Sequence, residues 1–202
     1  MSNSIFNPEF QNEHTSSKII AALQRISEAF KVLLWNKAKE FGLSPIQIQI
    51  LIFVAYHKQE LCNVSHLAQE FNITKPTVSD AVKALLNKGH IEKDLSSSDS
   101  RSYSIILTSS GKDLIKQTED FAHPIKSNLN TIEDTKLEDL FSTLSQVIYK
   151  LNQTGILTVQ RTCYGCKFYE KQGTTHFCNL LEKALLDSEI RIDCPEFDAK
   201  IT

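Results

Sequence analysis

One central segment, Asn63–Thr108, constrains the fold more than any other part of the chain, because helix and strand signals follow one another there at short intervals. Its first residue can cap one short helix, and Thr74 can cap a second. Gly89 follows the second helix, at a position where a left-handed residue commonly ends a helix. Two short strands, over residues 90–95 and 103–107, then flank a polar loop. The segment is therefore predicted to form two short helices and a β-hairpin.

Longer helices are predicted on both sides of this segment, because apolar residues there recur every three or four positions. The N-terminal series is Ile19, Leu23, Ile26, Phe30 and Leu33, and the C-terminal series is Leu137, Leu140, Leu144, Val147 and Leu151. Ser44 and Pro45 begin a further helix that is apolar on most sides. The predicted fold class is mainly α with a small β-hairpin wing: a winged helix-turn-helix with N- and C-terminal dimerisation helices.

The chain of 202 residues is long enough for one domain and an appendage. We expect a disordered arm over residues 1–14, a winged-helix DNA-binding and dimerisation domain over residues 15–155, and a cysteine-rich tail over residues 156–202. No apolar run in the sequence approaches the ~18 residues of a membrane span, and the first residues lack a secretory pattern. We therefore expect a cytoplasmic protein with no membrane partner.

The second short helix is the predicted DNA-reading element, because such a helix fits the major groove and its N-terminal N–H groups can bind phosphate. Its candidate contacts are Thr74, Lys75, Thr77, Ser79, Asp80 and Lys83, and those of the hairpin loop are Asp99 and Arg101. A purely structural role would account for Val78, Val82 and Leu85 but not for this polar set. DNA binding is therefore the favoured interpretation.

Several motifs in this region occur in the order and spacing of a known family. They are Val64–Ser79, Val82 with Leu85, Lys88–Ile91, Asp99–Arg101 and Leu107–Gly111. Over residues 15–153 the chain resembles the MarR family of bacterial transcription regulators. The resemblance implies a homodimer with interlocking terminal helices that binds a pseudo-palindromic operator in double-stranded DNA, most simply as a repressor. It also implies a recognition helix over Thr74–Lys88 and a wing over Leu95–Ser104 whose Arg101 enters the minor groove.

The charge of this segment departs from the basic character that is usual for DNA-binding domains. Residues 44–111 carry six lysine or arginine and six aspartate or glutamate side chains, and the chain has a net charge of −2. Asp80 occupies a position that is often arginine in the MarR family. An aspartate repels phosphate, although it can accept a hydrogen bond from cytosine. A DNA complex of this chain should therefore be sensitive to salt.

Four of the five cysteines lie in the last forty residues of the chain. Cys163 and Cys166 form a Cys-x-x-Cys pair, and Cys178 and Cys194 can complete a set of four sulfur ligands. Because proline follows Cys194, as in one ferredoxin pattern, a [4Fe–4S] cluster is slightly favoured over Zn²⁺. Metal-free thiols that pack together or act as a redox switch are the third possibility. A tail of this size rarely folds without a metal, a disulfide or a partner surface.

Two further residues near these patterns have simpler interpretations. Cys62 stands apart from the tail and is predicted to belong to the core rather than to a ligand set. His176 lies two residues from Cys178, but we expect a surface histidine there rather than a ligand.

Three functional hypotheses follow from these patterns. The leading one is a dimeric DNA-binding transcription regulator whose four-cysteine centre senses redox, iron or metal state. The alternative is the same regulator with a structural zinc tail and a small-molecule effector pocket at the dimer interface. The third is a redox or electron-transfer protein, for which the sequence offers no substrate site, phosphate-binding glycine loop or hydrolase motif. We therefore do not expect an enzyme.

Overall fold

The computed structural model describes residues 4–95, 103–173 and 175–200, and over these residues it confirms the predicted fold class. Its helices are α1 (Pro8–Glu13), α2 (Thr15–Glu40), α3 (Pro45–Tyr56), α4 (Val64–Glu70), α5 (Lys75–Asn87), α6 (Ser109–Thr118), α7 (His123–Leu129) and α8 (Asp134–Gln153). Its strands are β1 (Ile91–Asp94), β2 (Ser104–Leu107), β3 (Tyr169–Gln172), β4 (Thr175–Cys178) and β5 (Lys183–Leu185). Strands β1 and β2 form an antiparallel hairpin, and the other three form a separate antiparallel sheet in the order β3-β4-β5.

Helix α3 forms the centre of the winged-helix core. Ile48, Ile50 and Leu51 on this helix are completely buried, as predicted for a helix that is apolar on most sides. A capping box closes its N-terminus, where the Gln47 side chain accepts a hydrogen bond from the Ser44 N–H at 3.0 Å. Residues of α4, α5, α6 and the β1–β2 hairpin belong to the same cluster, so the helix-turn-helix and its wing share one core.

The predicted caps of the helix-turn-helix are present in the structure. Asn63 Oδ1 accepts a hydrogen bond from the His66 N–H at 2.9 Å, and Thr74 Oγ1 accepts one from the Thr77 N–H at 3.4 Å. Gly89 follows α5 with a φ of +72°, a left-handed conformation that favours glycine. These local interactions fix where α4 and α5 begin and where the chain turns into the wing.

Within the expected arm of residues 1–14, the structure contains the short helix α1. Asn7 caps this helix by accepting a hydrogen bond from the Glu9 N–H at 3.1 Å. Pro8 occupies the first turn, where its missing N–H has no partner to lose. The short helix then packs against α2.

A complete break just before Pro124 separates two helices. Helix α6 ends at Thr118, whose hydroxyl donates to the Leu114 carbonyl at 2.9 Å. A 3₁₀ turn over Glu119–Ala122 follows, and α7 begins at His123. Pro124 has no N–H to donate to the carbonyl four residues earlier, and its ring crowds the preceding turn, which explains why one continuous helix does not form.

Helices α2 and α8 leave apolar side chains on the surface of the single chain. Within the 26 residues of α2, only Ser17, Leu34 and Ala38 are buried. The predicted apolar series of α2 is largely exposed, with Ile26 at 55%. A cleft of about 460 Å³ with mainly apolar walls lies between Phe30 on α2 and helices α7 and α8. Exposed apolar surfaces of this kind mark interaction sites.

The tail folds back onto the rest of the chain. The buried residues of its small core are Cys163, Leu185 and Ile190. Phe141 of α8 packs against this core, and the Ser142 hydroxyl donates to the Asp187 carboxylate at 3.3 Å. The tail is therefore docked on α8.

Over the ranges described above, no single helix combines the length and apolar composition of a membrane span, whereas α2 and α3 meet both criteria only as a pair bent by 91°.

Candidate functional site

Helix α5 divides cleanly into a buried face and an exposed polar face. Its buried residues are Val78, Ala81, Val82 and Leu85. The exposed residues include all six predicted DNA contacts on this helix, namely Thr74, Lys75, Thr77, Ser79, Asp80 and Lys83. The apolar face fixes the helix on the core, so the polar face is free to meet a ligand along its whole length.

The N-terminal turn of α5 combines a positive helix end with ordered hydroxyl groups. Thr74 and Thr77 are joined by a hydrogen bond of 2.8 Å between their hydroxyl oxygens. Lys75 and Lys83 add positive charge to this face, and Asp80 between them opposes it. Backbone N–H groups at such a helix end can bind phosphate oxygens. The arrangement is suited to the sugar-phosphate backbone of a nucleic acid, but with modest net attraction.

The predicted wing contacts Asp99 and Arg101 lie outside the described residues. The strands that lead to them are in place, with Ile91 opposite Leu107 and Asp94 opposite Ser104. Strands β1 and β2 share one core with α5.

The four cysteines of the tail line a single cavity of about 40 Å³. Cys163 begins a 3₁₀ turn and Cys166 follows it, Cys178 ends β4, and Cys194 lies in the last segment of the tail. Apolar side chains complete the wall, among them Phe168, Leu180, Leu181 and Leu185. The cavity exceeds the ~10–15 Å³ that one water molecule requires. Residues that are far apart in sequence are therefore gathered around one small apolar space.

The thiols surround this cavity rather than meeting at one point. All five cysteines of the chain are free thiols. Among the residues that the structure describes, no group of three or more His, Cys, Asp or Glu side chains has the spacing to hold a single metal ion. Cys62 lies in the winged-helix core, where it is 1% exposed and its thiol faces the Lys58 carbonyl at 3.4 Å, so its predicted core role is confirmed.

Hydrogen-bond donors face two of the four sulfur atoms. The Arg191 N–H donates to Cys163 Sγ at 3.2 Å, and the Arg191 guanidinium lies 4.0 Å from Cys194 Sγ. Burial raises the pKa of Cys163, the Arg191 N–H lowers it, and the neighbouring thiols raise it further. Burial therefore favours the neutral thiol at Cys163, whereas the donors of Arg191 favour a thiolate.

His176 is buried, so its expected surface position is wrong. Its Nδ1 lies 2.5 Å from the Tyr169 hydroxyl, and its Nε2 lies 3.1 Å from the Asp187 carboxylate. Both ring nitrogens thus have partners inside the tail. No local pattern predicts the burial of His176, because Tyr169 reaches it only through the β3–β4 pairing.

The last described residues of the chain close the turn that carries the first cysteine pair. The Lys167 N–H donates to the Asp198 carbonyl at 2.7 Å, and the Lys200 N–H donates to the Gly165 carbonyl at 3.1 Å. The Cys163–Gly165 turn is therefore held by backbone hydrogen bonds from a segment more than thirty residues away.

Comparison with known families identifies the central domain. Residues 41–102 match the sequence model of the MarR family. The chain carries a winged-helix domain whose central part is similar to the MarR family. This match covers α3, the helix-turn-helix and the first strand of the wing, which are the elements that bear the exposed face of α5.

Solved structures share this fold at low sequence identity. The DNA complex of Staphylococcus aureus MepR is 23% identical, with a TM-score of 0.57 over 65% of this chain and 96% of MepR. A MarR transcriptional regulator from Methanosarcina mazei Go1 is 20% identical, with a TM-score of 0.57 over 67% of this chain and 96% of that chain. A MarR protein from Peptoclostridium difficile is 18% identical, with a TM-score of 0.59 over 67% of this chain and 88% of that chain. About a third of this chain lies outside each match. The comparison with curated proteins gave no match.

An ion-pair cluster joins the tail to the MarR-type domain. The Arg161 guanidinium donates two hydrogen bonds to the Glu70 carboxylate, at 2.8 and 3.0 Å. It also donates to Asp193, whose Oδ2 lies 2.6 Å from His57 Nε2. The Thr158 hydroxyl adds a bond of 2.5 Å to the Gln69 carbonyl. No pattern in the sequence predicts this cluster, because its members come from four separate segments and no spacing rule connects them.

Charges in this cluster stabilise one another. Burial acts to raise the pKa of Asp193, but hydrogen bonds from Arg161 and His57 lower it overall. Burial likewise acts to lower the pKa of Arg161, whereas Glu70 and Asp193 raise it. The Arg161 and Glu70 side chains are only 11% and 19% exposed, so this pair is poorly screened by solvent.

Proposed function

We propose that this chain is a dimeric, DNA-binding transcription regulator whose tail holds an iron–sulfur centre on Cys163, Cys166, Cys178 and Cys194. The observation that carries the proposal is the convergence of these four cysteines on one cavity, in a tail that docks on a MarR-type domain. The regulator is proposed to act in the cytoplasm as a repressor that responds to the state of the centre. No catalytic role is proposed.

DNA binding is supported by the exposed polar face of α5 and by the fold. A recognition helix of this kind enters the major groove with its N-terminal residues toward the bases. MepR, which shares the fold, has been solved in complex with DNA. Because the local basic and acidic residues balance, we expect affinity to fall steeply with salt from a modest starting value.

Dimerisation is supported by the apolar surfaces that α2 and α8 leave exposed. The cleft between α2, α7 and α8 has mainly apolar walls, including Leu137, Leu140 and Leu144 of the predicted C-terminal apolar series. A second copy of the chain would cover both surfaces, and a two-fold dimer would present two recognition helices to a pseudo-palindromic site. Leu140→Asp should give a monomer in analytical ultracentrifugation, while Glu138→Gln on the same helix should stay dimeric. A wild-type monomer at micromolar concentration would overturn the dimer.

A small-molecule effector is the competing occupant of the same apolar cleft. Its volume of about 460 Å³ lies within the range of ligand pockets. An effector would have to bind this cleft in the assembled dimer. If a small apolar probe binds the cleft of the monomer but not that of the dimer, the partner subunit is favoured as the occupant of the cleft.

An iron–sulfur centre is supported by the arrangement of the thiols. The four cysteines line one cavity, and thiolates are the usual ligands of such clusters. Proline follows Cys194, as in one ferredoxin pattern, which favours a cluster over Zn²⁺. Donors to the sulfurs, such as the Arg191 N–H at Cys163, are among the factors that tune such clusters.

Metal analysis of anaerobically purified protein tests the centre directly. The proposal predicts a brown protein with broad visible absorption and with iron and sulfide bound in equal amounts. A colourless protein with one zinc per chain would show that the tail binds structural Zn²⁺ and not a cluster. A protein with neither metal would overturn the centre while leaving the DNA-binding proposal intact.

A further inference from the structure

The tail contacts the MarR-type domain at the point where the helix-turn-helix changes direction. Glu70 is the last residue of α4, and α5 begins only five residues later. The Arg161 guanidinium grips both carboxylate oxygens of Glu70, and the neighbouring Gln69 carbonyl accepts from Thr158. The tail therefore holds the C-terminal end of α4, from which the chain turns directly into the recognition helix.

The same guanidinium is fixed by residues adjacent to the cysteines. Arg161 lies two positions before Cys163, and Asp193 directly precedes Cys194. Their segments pair, since the Cys194 N–H donates to the Arg161 carbonyl at 3.0 Å and the Cys163 N–H donates to the Arg191 carbonyl at 3.0 Å. Two of the four cysteines therefore lie on the same pair of hydrogen-bonded segments as Arg161, which binds Glu70.

The guanidinium also rests on the core of the domain. Its central carbon lies 5.6 Å from the centre of the Phe53 ring, on which the His57 ring stacks at 3.8 Å. Arginine presents its donors in a rigid planar fork, so it can hold two carboxylates in a fixed relation, which a lysine cannot do. A movement of the Cys163 and Cys194 segments would thus have to move Arg161 or break its bonds to α4.

We propose that Arg161, held between Glu70 and Asp193, transmits changes at the cysteine centre to the helix-turn-helix, an inference that rests on the centre proposed above. When the centre is intact, the paired segments hold Arg161 on Glu70 and brace α4 and α5. When the centre is lost, the segments separate, the brace is released, and α4 and α5 move more freely. The differential contact of Arg161 with α4 in the two states is what couples the two sites.

Hydrogen exchange on the full-length protein tests this brace. In the wild type, anaerobic removal of the centre with ferricyanide and EDTA should raise exchange of the amides of residues 64–87 about tenfold, within the range of allosteric couplings. Glu70→Gln leaves the tail unchanged but removes the carboxylate that Arg161 grips. In this variant the same amides should exchange fast whether the centre is present or removed. Arg161→Met is a second variant with the same expectation.

Lys58→Met is the matched control. Lys58 pairs with Glu196 at 3.6 Å across the same tail–domain boundary, but both side chains are about half exposed and neither belongs to α4. This variant should behave as the wild type. A second readout is the affinity for a 30-base-pair duplex selected with loaded wild-type protein. The ratio of affinities between loaded and emptied protein should be about tenfold in wild type and Lys58→Met, and near one in Glu70→Gln.

The outcomes separate the two proposals. If loaded wild type and emptied wild type exchange residues 64–87 equally, or if Glu70→Gln keeps the full difference while loading its centre, the brace is wrong and the centre stands. If wild-type protein holds neither iron nor zinc, the centre and the brace are both wrong. A stable DNA complex in that case would still support the regulator.

Discussion

The winged helix and the tail of this chain reach a defined structure by different means. Among the described residues, the winged helix encloses eighteen buried apolar residues in one cluster, whereas the tail encloses three. Where a domain of ordinary size would have its core, the tail has a cavity lined by four thiols. Burial of apolar surface accounts for the first region, whereas a unit with so few buried apolar residues would gain stability from the metal centre proposed for its cysteines.

The largest expected effect comes from Cys178→Ser. Replacing one of the four proposed ligands should abolish the metal content and loosen the chain from about Ile156 onward, because the tail has little apolar core to fall back on. The winged helix should keep its helical circular dichroism and resist protease. Metal analysis and limited proteolysis measure the two parts. Cys62→Ala is the control and should retain the centre. A variant that keeps its metal, or loses the winged helix with the tail, would contradict the comparison.

A substitution in the core of the winged helix should destabilise that domain, whereas an exposed substitution in the tail should not. Leu51→Ala removes a completely buried side chain from α3 and should lower the free energy of unfolding of the winged helix by ~2–5 kcal/mol. Leu186→Ala, at a tail position that is 69% exposed, should change it by less than ~0.5 kcal/mol. Urea denaturation followed by circular dichroism measures both. Similar losses from both substitutions would show that the two regions unfold as one unit.

Arg101→Ala tests whether the wing contacts DNA. Arg101 lies outside the described residues, and its predicted role comes from the sequence pattern. Its loss should cost ~1–3 kcal/mol of DNA affinity if it reads a groove, or reduce the salt slope by about one if it touches only phosphate. Fluorescence anisotropy over a salt series distinguishes the two cases. Lys116→Ala on α6 makes the same change of charge and should leave affinity unchanged. If both variants bind DNA with the same affinity and the same salt slope, the wing does not contact DNA.

The smallest expected effect is that of Asp80→Asn. Asp80 lies on the exposed face of α5, where its negative charge opposes phosphate. Removing this charge should raise affinity for DNA of unrelated sequence. If Asp80 instead accepts from a cytosine amino group, affinity for the selected duplex alone should fall. Titrations with both duplexes separate these roles, and no change with either would place Asp80 away from the DNA.

The two regions also differ in how far their structures could be predicted. The caps Asn63 and Thr74 and the turn at Gly89 act within a few residues, so α4, α5 and the wing strands were predicted nearly to their ends. The helix α1 was not predicted, because the cap at Asn7 was overlooked. The apolar periodicity predicted the apolar series of α8, since the residues of one helical face recur regularly in sequence.

In the tail, the sequence indicated which residues matter but not how they are arranged. Cysteine spacing singled out the four residues that line the cavity. The burial of His176 and the grip of Arg161 on Glu70 depend on strand pairing and docking between distant segments, which no local pattern encodes. Arg161 and Asp193 stand beside cysteines in sequence, and this adjacency was the only available hint.

The backbone hydrogen bonds that close the turn at the first cysteine pair set an order of events during synthesis. The turn at Cys163–Gly165 is closed by bonds to Asp198 and Lys200, which the ribosome adds long after the cysteines themselves. The winged helix has all of its core residues in hand by Ile115 and can fold while translation continues, as domains nearer the N-terminus generally do. The cysteine pocket can be completed only after Lys200 has been added, so the proposed centre would be loaded on a winged helix that has already had time to fold.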